Sequence, residues 1–316
     1  MAEPAALAGR IVAAHGRHYD VEIDGGGRRQ CYTRGKKSGP AVGDRVRVQP
    51  EGAHEGVILD ILPRRNLFYR SDAQRSKQFA ANIDQLLLVL APEPEFSGDL
   101  MGRALVAAAS AGVPVLIVLN KADLPGAAAA HARLATVESL GTPVLMLSAL
   151  DTDRTRALLG PRLQDRLTLL LGQSGMGKST LLNALVPEAL AATQAHSEAL
   201  GTGRHTTTRT QLYPLPNGGG LIDSPGFQAF GLQHLSPHDI EQGFPEFAQP
   251  ITECRFYNCT HRHEPGCGVL AAVERGDIRA ERHALYMRIL AENEAARRAR
   301  PAARPATPLD RPPFRS

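Results

Sequence analysis

The order of three polar motifs constrains this chain more than any other feature. Asn120-Lys121-Ala122-Asp123 comes first, Ser148-Ala149-Leu150 second, and Gly172-Gln173-Ser174-Gly175-Met176-Gly177-Lys178-Ser179 only after both. Each closes an apolar run, at residues 113–119, 144–147 and 167–171, and a further run at 85–90 precedes them all. Short apolar runs alternating with helical stretches, expected near 101–111 and 127–140, describe a mostly parallel α/β sheet buried on both faces. Loops at the carboxyl ends of such strands are where ligands bind. A domain of this kind read from its start carries its glycine-rich loop first and N-K-x-D near its end. The order here is rotated, as if the ends had been joined and the chain reopened elsewhere. The segments after the glycine-rich loop therefore lead directly into whatever follows the domain.

The chemistry follows from the residue types. G-x-x-x-x-G-K-S between a strand and a helix turns backbone N–H groups toward phosphates at a helix N-terminus, where the dipole favours anions. Lys178 reaches the β- and γ-phosphates, and the Ser179 hydroxyl is a Mg²⁺ ligand. Asp123 accepts from guanine N1–H and the exocyclic amine, a pattern adenine does not offer. Asn120 braces the base and the adjacent loops, and the stem of Lys121 covers the ring face. Leu221-Ile222-Asp223-Ser224-Pro225-Gly226 is a strand followed by D-x-x-G, with Asp223 toward Mg²⁺ and the Gly226 N–H toward the γ-phosphate. Gly203-Arg204-His205-Thr206-Thr207-Thr208 occupies the place of a first switch. One threonine there is expected to complete the Mg²⁺ shell; Thr207 is favoured, with Thr206 and Thr208 open. Phe227 stands where many GTPases carry a water-orienting glutamine, and it cannot accept that hydrogen bond. His205 is the nearest candidate to supply the function, the alternative being a loop histidine with no chemistry.

Around this core the composition changes. Residues 8–62 read as short strands at 11–13, 19–23, 30–33, 45–48 and 56–59, separated by glycine-rich turns. That pattern suits a small OB-fold barrel. Its basic loop Arg34-Gly35-Lys36-Lys37 favours RNA contact over a purely scaffolding role. Of the four cysteines, three lie between Cys254 and Cys267. Cys254, Cys259, His261 and Cys267 form a closed Cys₃His set suited to structural zinc, with His263 as the alternative imidazole. Such clustering argues for a metal in a reducing compartment. Helices are expected over 268–275 and 279–298, divided near Gly276, and Ser236-Pro237 reads as a helix start. The division is then 1–66 (OB-fold), 67–234 (rotated G-domain), 235–300 (helical, zinc-binding) and 301–316 (an Arg/Pro-rich tail expected to lack structure). The first residues lack a basic n-region and an apolar core, so no secretory signal is read. No apolar run approaches the roughly 18 residues of a membrane span. The net charge of +4 permits a nucleic-acid partner without requiring one.

These motifs, in this order, closely resemble the bacterial ribosome small-subunit-dependent GTPases, a circularly permuted family. The likeness covers nearly the whole chain. It extends to Arg70-Ser71-Asp72-Ala73, Lys77, residues 80–84 and His263-Glu264-Pro265-Gly266-Cys267. The resemblance implies a GTPase acting late in 30S maturation, with hydrolysis stimulated by the subunit. Contact with 16S rRNA, release driven by hydrolysis and a monomeric state are expected with it, and the cysteine clustering points to the cytoplasm. It carries over Asn120, Lys121, Ala122 and Asp123, and Gly172, Gln173, Ser174, Gly175, Met176, Gly177, Lys178, Ser179 and Thr180, as GTP contacts. Ser148 and Ala149 sit at a strand end beside them. The zinc ligands carry over as the set given above. A P-loop kinase or ATPase would share residues 172–179 but leave N-K-x-D unexplained. A non-catalytic RNA-binding protein would leave Lys178, Ser179 and Asp223 unexplained.

Overall fold

The computed structural model describes residues 5–34, 39–71, 76–187, 209–224 and 230–299. Strands β1 (Leu7–His15), β2 (His18–Ile23), β3 (Arg28–Thr33), β4 (Arg45–Glu51) and β5 (Glu55–Ile61) close into a barrel. β1 pairs with β2, β2 with β3, β3 with β5, β5 with β4, and β4 returns to β1. Only the β3–β5 contact is parallel. Alternation along each strand buries Ile11, Val21, Cys31, Val46, Val48 and Val57 inside. This is the closed OB-fold barrel expected at the N-terminus.

Six strands build the second sheet: β8 (Gln85–Leu90), β9 (Val115–Leu119), β10 (Val144–Met146), β11 (Leu167–Leu171), β12 (Thr210–Pro214) and β13 (Gly220–Asp223). Their order is β10-β9-β8-β11-β13-β12, with only β12 antiparallel to its neighbour β13. β8 and β11 are buried along their whole length, which is why their sequences read as unbroken apolar runs. The β1–β4 pairing ends at Arg10, and beyond it the end of β1 pairs Ala13 with Gln211 and Ala14 with Thr210 on β12 while still pairing with β2. Barrel and α/β sheet are thus one hydrogen-bonded surface.

The helices α1 (Gly98–Ser110), α2 (Ala127–Ala132), α3 (Ala135–Ser139), α4 (Thr152–Leu163) and α5 (Lys178–Leu185) flank this sheet. The helix expected over 127–140 is two short ones. Leu134 is drawn fully into the core, and Arg133 reaches out to the Glu95 carboxylate at 2.6 Å and the Phe96 ring at 4.2 Å. The hairpin of β6 (Leu67–Ser71) and β7 (Ser76–Ala81) forms a separate sheet that the sequence pattern did not announce.

Beyond the sheet lie α6 (Pro237–Gln242), a 3₁₀ turn at Pro245–Phe247, α7 (Ala248–Ile251), α8 (Gly268–Arg275) and α9 (Ala280–Ala299). Ser236 and Asp239 form a capping box with Pro237 at the first turn. Gly276 ends α8 as expected. Helix α9 crosses α1 at Gly102, where an added Cβ would stand 2.2 Å from Leu285 Cδ2 and force that side chain aside. Among the described residues no helix is long and apolar enough to cross a membrane.

Candidate nucleotide site and metal centre

Because β8, β9, β10, β11 and β13 run parallel, the loops leaving their carboxyl ends share one edge of the sheet. Asn120 ties three of those loops together. Its Nδ2 donates to Met176 O of the glycine-rich loop at 2.9 Å, and its Oδ1 accepts from Ala149 N at 2.9 Å. The side chain is 2% exposed, so both bonds are made away from water. Only an amide offers a donor and an acceptor in this geometry. Ala122 N donates to Leu147 O at 3.1 Å, adding a backbone tie between the same loops. Lys121 adopts a left-handed φ of 58° and its Nζ donates to Glu93 O at 2.6 Å. Asp123 is exposed beside Ser148, whose hydroxyl is the main cause holding the carboxyl below its ordinary range; its own backbone N–H adds to this. The group is an ionised acceptor.

The glycine-rich loop joins β11 to α5. Gly177 caps α5 at φ 86°, and a Cβ there would meet Asn120 Nδ2 at 2.2 Å, so a larger residue would both strain the backbone and disturb the tie. Met176 is buried and anchors the loop, while Ser174, Ser179 and Thr180 are exposed. Lys178 Nζ donates to Gly172 O at 2.6 Å and Gln173 O at 2.8 Å, placing the ammonium within the loop. Burial lowers its pKa, and the charge of Asp223 works against that shift. Asp223, 6% exposed, lies at the carboxyl end of β13, close enough for its charge to act on Lys178. Gln173 Oε1 accepts from Ser97 N, the cap of α1, at 2.7 Å. No spacing rule announced that contact. Gly226, His205, Thr206, Thr207, Thr208 and Phe227 lie outside the described residues.

At the other end of the chain, the donor atoms of Cys254, Cys259, His261 and Cys267 all lie within 4.8 Å of one another. His261 Nδ1 stands 3.6 Å from Cys254 Sγ and 3.4 Å from Cys267 Sγ. Its Nε2 faces Glu241 Oε2 at 3.0 Å, which fixes the ring and leaves Nδ1 as the ligand atom. Burial opposes charge on this imidazole, but Glu241 and Cys267 outweigh it and raise the pKa. Burial also pushes the Cys259 thiol up to about 12, so a cation entering the set must displace protons. Three sulfurs and one imidazole nitrogen at these separations fit tetrahedral zinc, with no position left open. His263 is exposed and outside the cluster, which decides the choice between the two histidines. The Glu264 carboxylate accepts from the backbone N–H groups of Thr260 and Arg262 at 2.8 and 2.9 Å, stiffening the loop between ligands.

Known proteins share this arrangement. The family model of the RsgA GTPase matches residues 61–233. A Bordetella pertussis protein named small ribosomal subunit biogenesis GTPase RsgA is 65% identical over 291 residues, covering 92% of this chain and 97% of its own length. A Burkholderia pseudomallei protein of the same name is 57% identical over 287 residues, covering 90% and 91%. Among solved structures, YjeQ from Thermotoga maritima matches with a TM-score of 0.69 at 30% identity, over 92% of this chain and 99% of that one. YloQ, described as a circularly permuted GTPase, matches with a TM-score of 0.67 at 28% identity, over 93% and 96%. The chain belongs to the RsgA GTPase family and is a circularly permuted enzyme that hydrolyses GTP.

Proposed function

We propose that this GTPase is a maturation factor of the small ribosomal subunit, binding the 30S particle and its 16S rRNA in the GTP state and leaving after hydrolysis. The observation that carries the reading is 65% identity, across 92% of the chain, to a protein named for that process. In this reading the nucleotide lies along the shared sheet edge. Asn120, Lys121, Ala122 and Asp123, with Ser148 and Ala149, receive guanine. Gly172 to Thr180 and Gly226 receive the phosphates. Ser179, Thr207 and Asp223 hold Mg²⁺, which supplies charge neutralisation on the β- and γ-phosphates. Lys178 neutralises charge from within the loop it already braces. His205 orients the attacking water, a role left open by Phe227. Cys254, Cys259, His261 and Cys267 hold one structural zinc. The domain division 1–66, 67–234, 235–300 and 301–316 assigns RNA contact to the barrel, and the protein acts as a cytoplasmic monomer.

The motif order gives this reading a mechanism. In the rotated domain the D-x-x-G segment leads straight to α6 and the metal centre, while the barrel enters through β6. GTP that orders the switches would therefore set all three regions at once. Linkage then requires the subunit to favour GTP over GDP by the same factor by which GTP favours the subunit. The test is GTP turnover with and without isolated 30S subunits, together with subunit affinity in the GTP and GDP states. Stimulated turnover and GTP-dependent binding are expected. Equal turnover with and without the subunit would end the proposal.

A further inference from the structure

Residues 230–235, the first described ones after the D-x-x-G strand, are gripped from three sides. From the hairpin, Ser71 N donates to Gly231 O at 3.0 Å and Gln233 N donates to Ser71 O at 3.2 Å. The Phe230 ring stacks on Phe79, with centroids 5.6 Å apart. From α9, Asn293 Nδ2 donates to Leu235 O at 2.5 Å. From α1, Arg103 Nη1 lies 3.4 Å from Phe230 O, a long hydrogen bond.

Arg103 supplies the α1 contact and links it to α9. It is 7% exposed, and its guanidinium is held by Asp99 Oδ2 at 2.6 Å and by both carboxylate oxygens of Glu292 on α9 at 2.7 Å each. A fork-to-fork pair of this kind fixes angle as well as distance. Asp99 lies two residues after Ser97, whose N–H is bound by Gln173 of the phosphate loop. One helix thus meets the phosphate loop at its start. Further along, one turn past Asp99, it meets the exit of the D-x-x-G segment and the C-terminal helix through a single side chain, Arg103.

We propose that Arg103 is a positioning residue for GTP hydrolysis: clasped by Glu292, it fixes the exit of the second switch against the phosphate loop. The zinc-bearing region thereby sets the intrinsic turnover rate. The inference rests on the GTPase activity and needs nothing from the small-subunit reading. An interaction that holds the switch for chemistry, but does not touch the nucleotide, alters kcat and leaves KM in place. Two residues acting through one clasp are non-additive when both are removed.

The test uses the full chain, without ribosomal subunits, and measures kcat and KM for GTP in Arg103→Gln, Glu292→Gln and the double variant. Circular dichroism and zinc content serve as checks of folding. Each single change should lower kcat about tenfold with KM within about twofold, and the double variant should be no slower than the slower single one. Arg288→Ala removes an exposed pair with Asp99 on the same helix crossing, without touching Phe230, and should leave kcat unchanged. Should Arg103→Gln fail to fold, Glu292→Gln decides alone through its kcat and KM. An unchanged kcat overturns the proposal, as does a rise in KM with kcat intact. Effects of the two changes that multiply, or an equal loss in Arg288→Ala, overturn it as well.

Discussion

The four metal donors come from one short stretch between Cys254 and Cys267, whereas the nucleotide loops are drawn from strands scattered between Gln85 and Asp223. The first site is held by the spacing of its own ligands and by turns such as those bound to Glu264. The second depends on a parallel sheet to bring its loops to one edge, and on one buried amide, Asn120, to lock them. A local site leans on its ligand chemistry; a distributed site leans on the whole domain. The two should therefore fail differently when a single residue is changed.

The largest effect is expected at the metal centre. Cys259→Ser replaces a thiolate donor with a weak one, and structural zinc sites contribute of the order of 10 kcal/mol of binding free energy to folding. Bound zinc should fall from about one per chain to none. The helices α6 to α9 should lose protection from proteolysis while GTP still binds, because Asn120 and the glycine-rich loop are elsewhere. Metal analysis and nucleotide titration on the same sample check this. Loss of both functions together would break the contrast between local and distributed sites.

Asn120→Ala is the mirror experiment. It strands Met176 O and Ala149 N, two buried groups whose lost bonds cost about 1–3 kcal/mol each. GTP and GDP affinity should drop together by one to a few powers of ten, and zinc content should stay put. Asn120→Asp sharpens the point, since a carboxylate still accepts from Ala149 N but cannot donate to Met176 O. Wild-type nucleotide affinity in either variant would show that the amide does not lock the loops.

The same contrast explains what the sequence made legible. Motifs carried the expectations for both sites, because ligand spacing and strand-end loops are local properties. Two of the C-terminal helices, α8 and α9, fell close to the ranges expected, with Ser236-Pro237 and Gly276 marking a start and an end. Contacts between distant segments carried no such signal. Helix α4 buries only Thr155, Leu159 and Leu163 within a polar sequence, too thin a stripe to stand out. The β6–β7 hairpin owes its place to Phe68 and Phe79 packing on Phe230, a partner far along the chain. The β1–β12 seam joins Ala13 and Ala14 to Gln211 and Thr210, a pairing between distant segments that no propensity encodes. In each case tertiary contact, not local preference, decided the structure.

The smallest expected effect sits where the local site borrows from outside itself. Glu241 belongs to α6, well before the first ligand, yet its carboxylate orients His261 through Nε2. Glu241→Gln keeps the shape and a hydrogen-bonding oxygen, but removes the negative charge that favours a basic Nδ1. Losses of such partners typically cost 10–100-fold in metal affinity, so a change near tenfold, about 1.4 kcal/mol, is expected here. Competition with a zinc chelator across a concentration series measures it, with Cys259→Ser marking complete loss. An unchanged chelator midpoint would mean that the four ligands hold the metal unaided. A loss as large as that of Cys259→Ser would mean that the centre is distributed after all, and depends on α6 as the nucleotide loops depend on Asn120.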